Sequence, residues 1–185
     1  MRIALLCPGP SLARTFPACA GGYDLVLAVN HAVLIARADW WVFADWTLFT
    51  QCDPDYAPRV FTTTSAVRGI ERCSLETRFK RHCEPLLFED RWPEYPGELG
   101  WTLWSACAGL VLGAHLGATY IDVYGADWTC EPDWDGTQLV GNNRGDIRWR
   151  QERVCWARLQ VWLAETKGVW VQRIRETGPW ESLIL

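Results

Sequence analysis

Short apolar runs recur along the chain, and each closes on glycine, proline, asparagine or aspartate. Residues 3–7 form one such run, halted by Pro8-Gly9-Pro10-Ser11. That pattern predicts a buried strand, a tight loop and a helix start at Ser11. A short helix over 12–19 follows, limited by Pro17 and closed by Gly21-Gly22. Residues 24–29 and 40–44 predict two further strands, ending at Asn30 and Asp45, with one or two helical turns over 32–37 between them. Residues 59–63 read as a fourth strand. From 64 to 100 the pattern is mixed: one helix near 75–82, a short run at 86–88, and a loop rich in Pro, Glu and Trp. This stretch reads as an irregular insertion over the active face.

Regular spacing returns at Trp101. Trp101, Trp104, Ala108, Val111, Leu112 and His115 recur at helical intervals over 101–117, and the small residues between them allow close packing on a sheet. Residues 119–124 predict a strand ending at Gly125-Ala126-Asp127, followed by a polar, lid-like loop over 128–145. A long helix over 146–167 carries an apolar stripe of Val154, Cys155, Leu159 and Trp162, stops at Gly168, and leads to a last strand over 169–174. Strands apolar on both faces and separated by helical pieces predict an α/β fold. The expected architecture is a Rossmann-like, doubly wound, mostly parallel sheet with helices on both faces.

The 185 residues suit a single domain, and 49% of them are hydrophobic. A formal net charge of −4, with no basic tail, argues against nucleic acid as a partner. No apolar run reaches membrane-spanning length, and the first run is shorter than a signal-peptide core, so the expected location is the cytoplasm. The eight cysteines include no Cys-x-x-Cys pair, and no histidine stands at metal-finger spacing from one. Cys7, Cys107 and Cys155 lie in apolar runs, where a reduced thiol behaves as a small hydrophobe. The thirteen tryptophans are expected mostly in the core.

Candidate chemistry follows from position. In a doubly wound parallel sheet all carboxyl ends lie along one edge, and ligands bind there, at the switch in strand order. Gly9, Pro10 and Ser11, then Asn30, then Asp45, then Gly125 and Asp127, and finally residues 173–176 all follow predicted strands. Backbone N–H groups at a first βα turn suit a phosphate. Each residue also has a plain structural reading: Ser11, Asn30 and Asp45 as helix caps, Gly125 and Asp127 as turn formers. Ser105 either packs silently inside its helix or faces the ligand if the helix begins near it.

Leu5-Leu6-Cys7-Pro8-Gly9-Pro10-Ser11-Leu12, Asn30, Ser105 to Gly109, and Gly117 to Asp127 together resemble the hydroxymethylpterin diphosphokinase-like (MptE-like) proteins and the related small bacterial sialyltransferases. The resemblance implies a Rossmann-like fold and nucleotide binding. Gly9, Pro10 and Ser11 would lie near phosphate, and Asn30 and Asp127 around ribose, base or phosphate. Two departures matter. Cys7 and Pro8 replace the first glycine and asparagine of the sialyltransferase turn, and the segment 128–145 lacks the tyrosines and the histidine general base of the sialyltransferase lid.

Two features of that segment offer other chemistry. Asp133-Trp134-Asp135 is an Asp-x-Asp pair that suits a divalent ion, Mg or Mn, between diphosphate oxygens, although Asp53-Pro54-Asp55 repeats the spacing. Arg144 and Arg148 fall on one face at the start of the long helix, with Arg144 the preferred phosphate ligand. The expected function is transfer of a glycosyl or pyrophosphoryl group from a nucleotide or nucleotide sugar, with Asp127 or Asp45 as general base. The alternative is a non-catalytic nucleotide-binding or assembly protein that kept the fold and lost the lid.

Overall fold

The computed structural model describes residues 1–16, 21–52, 59–73, 85–88, 92, 94–129, 131–136 and 145–175. The apolar runs become strands β1 (Arg2–Leu6), β2 (Leu25–Val29), β3 (Trp40–Val42), β4 (Arg59–Thr62), β5 (Leu86–Leu87), β6 (Tyr120–Tyr124) and β7 (Trp170–Arg173). They form one sheet in the order β5-β4-β3-β2-β1-β6-β7, with every neighbouring pair parallel. The chain winds outward from β1 to β5, crosses back to the far side of β1 and continues through β6 to β7. The switch in winding therefore lies between β1 and β6.

Side-chain alternation divides the strands between two cores. Ile3, Leu5, Leu27, Val29, Val42, Phe61, Ile121 and Val123 point to one face, where α4 (Ser105–His115) and α5 (Asp146–Trp162) pack. Ala4, Leu6, Val26, Ala28, Trp41, Phe43 and Val60 point to the other, under α1 (Leu12–Thr15), a 3-10 turn (Asn30–Leu34), α2 (Thr47–Gln51) and α3 (Thr64–Arg72). The first half of the chain covers one face and the second half the other, as a doubly wound sheet requires. Each fully buried Leu, Ile or Phe contributes about 1.5–3 kcal/mol.

Several expected elements change. The stretch 64–100 is not wholly irregular: Thr63 Oγ1 accepts from the Ala66 N–H at 3.1 Å and starts α3, which buries Ala66 and Ile70. The helix expected over 75–82 falls outside the described residues. The one expected over 101–117 begins only at Ser105, because Gly100 takes a φ of 68° and Trp101–Leu103 form a separate 3-10 turn. On α5 the buried stripe is Glu152, Cys155, Trp156, Leu159 and Leu163, whereas Val154 is 49% exposed. The helical repeat from Cys155 and Leu159 selects Trp156 and Leu163, not Val154. The five described cysteines, Cys7, Cys52, Cys73, Cys107 and Cys155, are free thiols, and all but Cys73 are buried.

Candidate functional site

A cavity of about 420 Å³ opens above the carboxyl edge of the sheet. Cys7 to Pro10 after β1, Asn30 after β2, Asp45 after β3 and Gly125 to Asp127 after β6 all line it. Ser65, following β4, joins them. The end of β7 does not line it; Arg173 reaches only the rim, with its guanidinium carbon 4.6 Å from the ring centre of the lining residue Trp128.

The first turn is locked to the end of β6. Gly9 N–H donates to Gly125 O at 2.9 Å, and Cys7 N–H to Tyr124 O at 2.8 Å. A Cβ at Gly9 would stand 2.3 Å from Gly125 O and 2.6 Å from Asp127 Oδ2. Gly125 has a φ of 66°, and a Cβ there would stand 2.1 Å from Cys7 O. Both positions therefore require glycine.

This lock delivers Asp127 onto Ser11. The Ser11 N–H donates to Asp127 Oδ2 at 2.8 Å and the Ser11 hydroxyl to Oδ1 at 2.7 Å. Arg173 Nη2 lies 3.8 Å from the same Oδ1. A resident carboxylate thus occupies the start of α1, where the sequence placed phosphate. Asp127, expected as a base, has both oxygens engaged, and Ser11, expected as a phosphate donor, gives both of its donors to it.

Asn30 takes a φ of 52°, and its backbone carbonyl accepts from Trp41 Nε1 at 2.9 Å. Its side-chain Oδ1 is buried, with no hydrogen-bond partner among the described residues. Asp45 is exposed on the cavity wall, and its Oδ1 accepts from the N–H of Thr47, the first residue of α2, at 2.9 Å. The Asp-x-Asp residues separate in environment. Asp135 is exposed. Asp133 is 5% exposed and lies 3.8 Å from His31 Nδ1. His31 Nε2 meets Gln51 Oε1 at 3.0 Å, and the facing Asp133 carboxylate holds the imidazole pKa above its ordinary value against the effect of burial. Trp134 N–H donates to Pro8 O at 2.9 Å, which pins this part of the lid segment to the first turn. Among the described residues no group of three or more His, Cys, Asp or Glu is arranged to hold a metal ion.

Across the cavity, Ser105 is the first residue of α4, and it lines the wall with Ala106. Ala108 N–H donates to Trp104 O, and among the described residues no side chain caps the helix; the amides of Ser105, Ala106 and Cys107, in its first turn, have no intrahelical acceptor. Gly109 lets α4 ride close to the sheet: a Cβ there would meet Leu5 Cδ1 at 2.7 Å. Arg148 lines the same wall, its guanidinium carbon 5.5 Å from the ring centres of both Trp104 and Trp149. Arg144 lies outside the described residues. Glu152, 7% exposed, completes this wall from α5.

No protein-family model matches the sequence, and no curated protein is significantly similar to it. The solved structures do include a likeness. The crystal structure of a point variant of the α-2,3/8-sialyltransferase CstII superposes with a TM-score of 0.53 at 12% identity, over 94% of this chain and 81% of that one. The chain shares a sialyltransferase-like fold. This supports the sialyltransferase side of the sequence resemblance at the level of fold. Among the described residues no helix is long and apolar enough to cross a membrane.

Sequence reasoning missed Glu152 and the His31–Asp133 pair. One signal for Glu152 was available: it stands three residues before Cys155 and seven before Leu159, on the buried repeat. His31 and Asp133 are 102 positions apart, beyond any local pattern.

Proposed function

We propose that the cavity binds a nucleotide or nucleotide sugar and that the protein transfers its glycosyl group to a small acceptor. The observation that carries this is the uncapped N-terminus of α4, opening into a cavity at the switch point of the sheet with Arg148 held beside it. The leading amides of Ser105 and Ala106, the helix dipole and a guanidinium suit a diphosphate. Asn30 would meet the ribose or base through its unpartnered Oδ1. Asp45, exposed on the wall, is the remaining candidate base, and the pair Asp133 and Asp135 the candidate for a divalent ion. Gly9, Pro10 and Gly125 shape the floor.

Calorimetric titration with UDP, CDP, GDP and ADP, and with their sugar conjugates, with and without Mg²⁺ or Mn²⁺, tests the reading. Arg148→Gln is expected to weaken binding about 10- to 100-fold, the range of one or two charge-assisted hydrogen bonds. Failure of every nucleotide to bind would refute it. The engagement of Asp127 by Ser11 favours a second reading, a nucleotide binder without turnover. Nucleotide binding with no donor hydrolysis or transfer would select that reading. Pyrophosphoryl transfer, the MptE-like side of the resemblance, predicts AMP release from ATP in the same assay.

A further inference from the structure

The long helix α5 is apolar on two opposite sides. One is the buried stripe against the sheet. On the other, Ile147, Val154 and Val161 recur at intervals of seven residues and are 72%, 49% and 55% exposed. Seven residues drift only about 20° around a straight helix, so the three side chains form one row about 21 Å long. A helix apolar on both sides is ordinarily covered on both. Arginines border the row: at 100° per residue, Arg150 and Arg153 fall on one flank and Arg158 on the other. All three are exposed, and no ion pair joins any of them to another described residue. The exposed acid Glu165 lies in the π-helical turn beyond the far end of the row. The near end stands at the cavity, since Arg148 and Trp149, next after Ile147, line it. Leu103, 70% exposed, lines the same cavity. Ile147 and Leu103 are the two most exposed large apolar side chains among the described residues.

The flanking charges decide what covers this face. A second copy fits badly: any register that brings the three apolar residues together, parallel or antiparallel about Val154, sets arginine against arginine. A rigid groove would have to admit a helix that stands proud, with positions 150, 151, 153, 154, 157, 158 and 161 all exposed. A fluid anionic surface meets the same features directly. Aliphatic side chains enter the headgroup boundary, and arginines lay their stems along apolar surface and reach phosphates. We propose that the outer face of α5, together with Leu103, docks on an anionic lipid surface and holds the mouth of the cavity at the headgroups. This goes beyond the nucleotide reading and does not depend on it.

Co-sedimentation of the full chain with vesicles tests the proposal, using phosphatidylcholine alone and an equal mixture of phosphatidylcholine and phosphatidylglycerol. At about 0.05 M salt the chain is expected to bind the anionic vesicles at least tenfold more tightly than the neutral ones, and at about 0.5 M salt to be released. Arg150→Gln, Arg153→Gln and Arg158→Gln are each expected to weaken binding about fivefold. Ile147→Ser with Val154→Ser is expected to weaken it about tenfold or more while leaving the salt dependence unchanged. All five positions are exposed, and circular dichroism checks that the variants fold. No binding to either vesicle at low salt, or equal binding to both, would overturn the proposal. So would binding that survives both sets of substitutions, which would place the lipid contact elsewhere on the chain. A dimer in sedimentation velocity that Ile147→Ser abolishes would assign the face to a second copy instead. Nucleotide binding, measured without vesicles, stands or falls separately.

Discussion

The contact between Asp127 and Ser11 decides whether the carboxylate is a reagent or a structural clamp, and the two roles predict different energies. Asp127 accepts two hydrogen bonds from Ser11, at 2.8 and 2.7 Å, and Ser11 is 8% exposed. Asp127→Asn keeps the shape and an acceptor for the N–H, and the hydroxyl can turn to accept from the new amide. What is lost is the charge. Charge-assisted bonds contribute about 1.5–3 kcal/mol and neutral ones about 0.5–1.5, so two bonds lose about 2 kcal/mol. Asp127→Ala also leaves a buried N–H unpaired and is expected to cost about 3–5 kcal/mol. For a domain of this size each kcal/mol lowers Tm by about 2–4 °C, which puts Asp127→Asn about 4–8 °C below the parent. Urea unfolding of the parent, Ser11→Ala, Asp127→Asn and the double variant closes a cycle whose coupling is expected at about 1–2 kcal/mol. Additivity within about 0.5 kcal/mol would refute the clamp and return Asp127 to the pool of candidate bases.

Gly125→Ala is expected to destabilise by about 3–5 kcal/mol, from left-handed backbone strain plus the clash with Cys7 O, whereas Gly117→Ala, with a φ of 93° and no atom within 4 Å, costs only the strain, about 1–2 kcal/mol; thermal melts compare them. Tyr23→Phe removes a 2.9 Å hydrogen bond to the buried Asp122 carboxylate and the contact with the Tyr124 hydroxyl, and is expected to lower stability by about 1–3 kcal/mol in urea unfolding. Because the folded-state pKa of His31 is raised, its contribution is fully present below about pH 6.5 and disappears as pH rises through the folded value. The stability gap between the parent and Asp133→Asn should therefore shrink between pH 6 and pH 9, and a gap that widens would contradict the pairing.

The sheet was legible because each strand is a bounded apolar run, and the direction of its ends followed from the short helical connections. What escaped was local geometry that a residue pattern does not encode. Trp101 and Trp104 continue the helical repeat of α4 backwards, so the pattern ran the helix through Ser105. The left-handed Gly100 and the 3-10 turn after it break the axis, and that break brings Ser105 to the helix start. The misassigned stripe on α5 has a similar origin. Val154 satisfies hydrophobicity but not the repeat, and buried Glu152 satisfies the repeat but not hydrophobicity. The role of Asp127 was hidden for another reason: its partner lies 116 residues earlier, and a carboxylate after a glycine reads alike whether it meets substrate or the chain itself.

That long-range contact also determines where an anion can enter. Of the helix N-termini over the carboxyl edge, those of α1 and α4 differ most in what meets their leading amides. The four-residue α1 has a short dipole, and its leading donors meet Asp127, a carboxylate tethered within bonding distance. A diffusing phosphate would have to displace that tethered group and leave it beside a new negative charge. The eleven-residue α4 presents the opposite situation. It has more aligned peptides, no side-chain cap, two residues on the cavity wall, and Arg148 stacked against the indole that precedes it. The motif Pro8-Gly9-Pro10-Ser11 therefore acts at one remove. By admitting Gly125 and gripping Asp127 it fixes the cavity floor, and the weight of anion recognition in the proposed site passes to the helix that begins at Ser105.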